Sequence, residues 1–307
     1  MRFSFSCAAI LLATVANASG PRLSPRANPP KPGKIIRVNV DLALVPVTVL
    51  DPMGRNVLGL AADTFRVFDG ALPRPIVAFS RQDAPISVGL VFDCSRSMTD
   101  KFRVSREAPR ALYEQLNPED ETFLITVSDR PVLRQDFTSD FSTIQSALLF
   151  THPNGATSLL DGVYLGLQKL KEAHNPRKAL IVVSDGGENN SRYNIRELQS
   201  LAVESDAQIF SICISYDPHT IEERDGPSLL DRISTATGGM RFMMPDAGMM
   251  REAMARIGLS LHNQYVLGIH PPPDAPQGKV RKIKVQLVVP AGMPQLAVYA
   301  RSHYLAP

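Results

Sequence analysis

Apolar positions along the chain follow two rhythms. Over 35–50, Val38, Val40 and Leu42 alternate with polar neighbours and Val45, Val47 and Val49 continue the alternation, which predicts one long strand or two. Residues 64–68, the turn pair Asp69-Gly70 and residues 76–79 read as a hairpin, so 35–82 forms a small β segment. From Ile86 the rhythm changes. Apolar runs over 86–93, 122–128, 132–137, 179–184, 208–214 and 240–244 predict strands, and between them helical spacing predicts helices over 99–116, 143–149, 159–173, 195–205, 229–236 and 248–261. Strands alternating with helices over 83–263 imply an α/β domain, a mostly parallel sheet covered on both faces. After it, 265–269, a Pro-rich loop at 271–276, 283–289 and 296–300 form a second β segment over 264–307. About fifty residues at either end make a marginal core alone, so the two β segments are expected to pair into one accessory unit.

The first residues alter the picture of where the domain works. Arg2, an apolar run over 7–16 and the ending Ala16-Asn17-Ala18 read as a signal peptide over 1–18, too short to span a membrane. A flexible Pro-, Lys- and Arg-rich leader follows over 19–34. An exported protein, periplasmic or secreted, with no transmembrane segment in its mature chain is expected. The 307 residues are 44% hydrophobic and 21% charged, an ordinary folded composition, and a net charge of +3 with no basic stripe argues against nucleic acid. Loss of Cys7 with the signal leaves Cys94 and Cys213, which an oxidising compartment invites to pair.

Chemistry concentrates at three predicted strand mouths. Asp93-Cys94-Ser95-Arg96-Ser97 follows the strand at 86–93 and offers a carboxylate and two hydroxyls at alternate positions, hard oxygen donors suited to a small divalent cation. Alone, this pattern is more often a helix N-cap. Two further loops stand beside it: 154–162, with Gly155-Ala156-Thr157, precedes a helix, and Ser184-Asp185-Gly186-Gly187 follows a strand. Together the three resemble the von Willebrand factor A domain and its metal-ion-dependent adhesion site. The resemblance implies a Rossmann-like doubly wound sheet and carries metal ligation onto Asp93, Ser95, Ser97, Thr157 and Asp185. It implies Mg²⁺, or Mn²⁺ or Ca²⁺, with an open coordination position that attracts a partner protein's Asp or Glu. It also implies a strand order in which the strand ending at Asp185 separates Cys94 from Cys213 by two spacings, about 10 Å, whereas a bridge needs Cα atoms within about 7 Å. Free buried thiols are therefore expected.

Outside these ligands the plainer readings hold. Asp161 reads either as a support behind the metal ligands or, preferred, as a first-turn acid favoured by the helix dipole, Glu188 and Asn189 as loop surface rather than ligands, and Arg96 as a solvated charge, with an acidic partner as the alternative. Phe65-x-Val67-Phe68-Asp69-Gly70, Gln264-Tyr265-Val266-Leu267-Gly268 and Arg281-Lys282-Ile283-Lys284-Val285 extend the resemblance over about 35–305, to the exported von Willebrand factor A related proteins typical of Acidobacteria. Gly268-Ile269-His270 departs from the Gly-Tyr usual there.

These readings point to a non-enzymatic, divalent-metal-dependent protein-binding or adhesion module outside the cytoplasm. A structural envelope protein with a vestigial site is the first alternative. A serine hydrolase is less well supported, because no Gly-x-Ser-x-Gly elbow occurs and the six histidines stand singly. The chain also lacks His-Glu-x-x-His, Cys-x-x-Cys, Gly-x-Gly-x-x-Gly and Gly-x-x-x-x-Gly-Lys, the signatures of zinc and nucleotide sites.

Overall fold

The computed structural model describes residues 42–81, 83–214, 221–273, 275–288, 292 and 294–306, apart from the side chains of 221–223 and 247. The expected signal peptide, the leader and the start of the 35–50 strand lie outside the described residues. In chain order the strands are β1 (Ala43–Leu50), β2 (Phe65–Asp69), β3 (Leu72–Arg74), β4 (Ile76–Ser80), β5 (Ile86–Asp93), β6 (Glu121–Val127), β7 (Pro131–Thr138), β8 (Arg177–Ser184), β9 (Gln208–Ile214), β10 (Arg241–Met244), β11 (Tyr265–Ile269), β12 (Val280–Leu287), β13 (Ala297–Ala300) and β14 (His303–Leu305). The helices are α1 (Thr99–Ser105), α2 (Pro109–Tyr113), α3 (Phe141–Leu149), α4 (Leu159–Lys169), α5 (Ile195–Ser205), α6 (Ile221–Ala236) and α7 (Met250–His262).

Six strands form the central sheet in the order β10-β9-β8-β5-β6-β7. Every neighbouring pair is parallel except β6 with β7 at one edge. Apolar runs without polar alternation need cover on both faces, and the two faces receive alternate side chains. Val88, Leu90, Phe92, Ile181 and Val183 pack with Phe102, Leu112, Ile144 and Met254 from α1, α2, α3 and α7. Val91, Leu180 and Val182 pack with Val163, Leu198 and Leu230 from α4, α5 and α6 on the other face. Each such side chain contributes about 1.5–3 kcal/mol of transfer free energy. The doubly wound α/β sheet expected from the pattern is thus the observed one. α4 lies unusually near it, because Gly162 and Gly166 face the strands one turn apart. A β-carbon on Gly162 would stand 2.3 Å from the Val127 side chain, and one on Gly166 2.7 Å from Leu180.

The remaining strands make two four-stranded sheets rather than one, β13-β1-β11-β4 and β14-β12-β2-β3. Each mixes strands from before and after the α/β layer. Val45, Val47, Phe65, Tyr265, Leu267 and Ile283 fill a common core. Tyr265 Oη donates to the Val57 carbonyl and accepts from the Leu60 amide, both at 3.0 Å, so the buried phenol is satisfied. Asp69 is a second buried node, accepting from Tyr304 Oη at 3.0 Å and from Arg281 Nε at 3.0 and 3.1 Å.

Two local expectations need correction. β2 turns back at Asp69-Gly70 onto β3, not onto 76–80; β4 instead pairs with β11 in the other sheet. Pro75 supplies no ladder donor, and the chain changes sheets there. The helix expected over 99–116 is divided, because Pro109 removes an amide and its ring meets the carbonyl of Ser105, where α1 ends. β14 is three residues long and has too little pattern to show. Cys94 and Cys213 are free and buried, with β8 between β5 and β9.

At the start of β5, the pole opposite the strand mouths, His262 lies 2.7 Å from Asp83 Oδ1 and 3.1 Å from Asp120 Oδ2. Asp120 also accepts from the Ile86 and Asn117 amides. The Asp120 carboxylate, then that of Asp83, raise the imidazole above its usual 6.5, against the opposing effect of burial. The folded form therefore holds this proton more tightly than the unfolded chain, so the stabilisation is full below pH 6.5 and is lost as pH rises through the folded value. Melting temperature between pH 6.5 and about 9 is expected to fall more steeply for the wild type than for His262→Gln; parallel curves would show that the cluster carries no such linkage.

Candidate functional site

β5 is central, with β6 on one side and β8 on the other, so the crevice beyond its carboxyl end is the switch point where ligands of open α/β sheets sit. Parallel pairing of Phe92 with Val183 brings Asp93 beside Ser184 and Asp185. Asp93 Oδ1 accepts from the Ser95 amide at 2.8 Å and Oδ2 from Ser184 Oγ at 2.6 Å, while Ser184 Oγ accepts from the Gly186 amide at 2.9 Å. Ser95 Oγ lies 3.1 Å from Ser97 Oγ. Ser95 precedes a short helical turn, yet its side chain makes no capping bond, so its hydroxyl is not spent as an N-cap.

Thr157 reaches the same place from the loop before α4. A β-carbon on Gly187 would stand 3.4 Å from Asp185 Oδ1 and 3.5 Å from Thr157 Oγ1, so glycine leaves space between these two oxygens. The structure thus gathers all five sequence-predicted residues at one strand mouth. Asp93, Ser95, Thr157 and Asp185 are buried, at 0%, 1%, 3% and 1% exposure, and Ser97 is exposed at the rim beside the equally exposed Arg96.

Two buried carboxylates meet at the site. Burial, and then the Asp185 carboxylate, push Asp93 up to about 6, even though it accepts from Ser184 and Ser95. Lys101, in the first turn of α1, places Nζ 2.9 Å from Asp185 Oδ2. Two carboxylates and three hydroxyls on adjoining loops are a donor set that fits a hard divalent cation, and the ammonium brings a positive charge to one of the carboxylates. Burial holds both thiols protonated, Cys94 well above its usual range and Cys213 at about 11, so neither is a suitable ligand.

Hydrogen bonds tie the three loops together. The Asn154 amide donates to the Cys94 carbonyl at 2.9 Å and the Arg96 amide to the Gly155 carbonyl at 3.2 Å. Asn189 Oδ1 accepts from the Thr157 amide at 3.0 Å, and the Thr157 carbonyl accepts from the Asn189 and Asn190 amides. Glu188 Oε2 accepts from the Leu160 amide at 2.8 Å, capping α4 from another loop. Asp161 Oδ1 accepts from the Arg192 and Tyr193 amides at 2.8 and 3.1 Å. Glu188 and Asn189 lie in a loop as expected, Asn189 exposed, and they also tie that loop to its neighbour, while Asp161 does more than complement the helix dipole.

Residues 88–188 match the family model of the von Willebrand factor type A domain. This part of the chain is a von Willebrand factor type A domain. Among solved structures, a von Willebrand factor type A protein from Catenulispora acidiphila aligns with 88% of this chain and 64% of its own, at TM-score 0.52 and 15% identity, and shares the fold. The von Willebrand factor domain of the type V pili tip protein Mfa5 from Porphyromonas gingivalis aligns with 59% of this chain and 96% of its own, at TM-score 0.48 and 12% identity. The PilB minor pilin from Streptococcus sanguinis covers 60% and 63%, at TM-score 0.47 and 17% identity. No curated protein matches the chain.

Two side chains that bond the candidate carboxylates, Ser184 and Lys101, were not singled out in the sequence. Ser184 ends a strand immediately before Asp185 and carried no signal of its own. A lysine in the first helical turn opposes the helix dipole, and that local conflict was the available clue for Lys101.

Asp161→Ala is expected to cost about 1–3 kcal/mol, because two backbone amides lose their acceptor. Urea unfolding and limited proteolysis check this, with faster cleavage within 186–194 than in the wild type; an unchanged cleavage rate would show that the tie is dispensable.

Proposed function

We propose that the A domain binds one divalent cation, Mg²⁺ or alternatively Mn²⁺ or Ca²⁺, through Asp93, Ser95, Ser97, Thr157 and Asp185. It acts as a non-enzymatic adhesion module for a protein partner that presents an Asp or Glu. The single observation that carries this reading is the pair of buried carboxylates, Asp93 and Asp185, with Asp185 opposing the ionisation of Asp93. Buried charges of one sign persist only with a compensating charge or a proton. When bound, the cation would supply that charge and a coordination position for an external carboxylate. Ser184 and the Ser95 amide would orient Asp93, the Gly187 amide would orient Asp185 through a 3.2 Å bond, and exposed Ser97 and Arg96 would face the incoming partner.

Binding rather than hydrolysis is favoured by where the histidines with bonded partners are placed. His174, His262 and His303 contact Glu121, Asp83 and Ser302, none of which belongs to the site. Export fits residues 1–18, and among the described residues no helix is long and apolar enough to cross a membrane.

Calorimetry of the folded protein with Mg²⁺ or Mn²⁺ is expected to show binding and a raised melting temperature, worth about 2.7 kcal/mol at a hundredfold excess over Kd. Asp93→Ala and Asp185→Ala should lose both effects while remaining folded. A folded wild type with neither heat nor thermal shift would remove the metal reading. Capture of a partner from an envelope extract should likewise disappear when a chelator is added.

A further inference from the structure

We propose that Lys101 is a sixth functional member of the metal site. Its ammonium holds the Asp185 carboxylate while the metal is absent and is displaced when a divalent cation binds. The inference rests on the metal reading above and adds a residue to it.

Three observations converge on Lys101. Its Nζ lies 2.9 Å from Asp185 Oδ2, and the side chains of the pair are 11% and 1% exposed, so the ammonium is placed inside the site rather than at its rim. It belongs to the first turn of α1, where the positive end of the helix dipole disfavours a cation, so helix formation does not explain the choice of lysine. Finally, Asp93 and Asp185 are both buried at this mouth, at 0% and 1% exposure, which gives any positive charge there a role in the metal-free form.

A lysine suits that role. Its charge is compact and sits on a flexible four-carbon stem, which allows withdrawal without moving the helix backbone. An ammonium and a divalent ion cannot both approach Asp185 without strong repulsion, so binding is an exchange of cations. The exchange lowers apparent metal affinity by the fraction of molecules in which Lys101 has vacated the site. It also keeps the loops in their binding geometry before the metal arrives, and leaves a lysine ammonium near the mouth once the metal is bound.

Mn²⁺ binding followed by electron paramagnetic resonance, on the wild type, Lys101→Met and Lys101→Arg, tests the exchange. Lys101→Met is expected to bind Mn²⁺ about tenfold more tightly or better, because the competitor is gone and its shape is kept. It should melt at a lower temperature than the wild type in chelator, with the gap closing at saturating Mn²⁺. Lys101→Arg should stay at or below wild-type affinity. In the wild type, acetylation of Lys101 read by mass spectrometry should accelerate when Mg²⁺ is added, and this readout decides if Lys101→Met does not fold. Equal Mn²⁺ affinity in folded wild type and Lys101→Met, or labelling that metal leaves unchanged, would overturn the exchange and leave the metal site standing. Absence of Mn²⁺ binding in both would overturn the metal reading and this inference together.

Discussion

Two carboxylates taken out of water at the ends of neighbouring parallel strands constrain everything around them. Both are buried, Asp185 raises the cost of charging Asp93, and neither can leave, because the strands that carry them are the centre of the sheet. The local design meets this cost with donors. Ser184, the Ser95 amide and the Gly187 amide point at carboxylate oxygens, and a lysine ammonium completes the set. Such an arrangement is expensive as a way to stabilise a fold, since apolar residues of similar size would serve a buried strand end better. Its presence in an otherwise well-packed α/β domain is what makes the mouth of β5 the candidate site.

Holding the loops still is the second requirement of the proposed site, because an oxygen cage for a small cation tolerates little displacement. α4 meets it by close approach, with Gly162 and Gly166 letting the helix lie against Val127 and Leu180. The start of α4, and Thr157 before it, are thereby fixed against the sheet. Asp161, Glu188 and Asn189 then hold the loop that bears Asp185 to the loop that bears Thr157. Polar side chains around the cage are thus spent on backbone amides, and the cage is stiffened from outside.

Much of this architecture was legible in the sequence, and the exceptions have physical causes. Strands buried on both faces read as unbroken apolar runs, so the central sheet and its helices follow from pattern. The five candidate residues were visible because three short motifs come in the right order, two after strands and one before a helix. The hairpin misreading at 76–79 came from treating adjacency in sequence as pairing in space, where Pro75 separates strands of different sheets. Pro109 was present in the predicted long helix and its consequence for Ser105 was readable. Glu188, Asn189 and Lys101 act across long sequence separations or against local preference, and a single sequence gives no distance information for such contacts.

The way the accessory sheets are assembled dictates an order of folding. Gln264 bonds Thr48 across 216 positions, and β11 lies between β1 and β4, so these sheets close only when distant stretches of chain meet. Closing a loop of that length in an unstructured chain is entropically costly and slow. The α/β layer, built from short strand-to-helix steps, can collapse first and bring its two ends to one pole. The pairing of β4 with β11 then becomes a local event. In this chain the binding domain is the template on which its own support forms, and a lesion in the central sheet should abolish the flanking sheets as well.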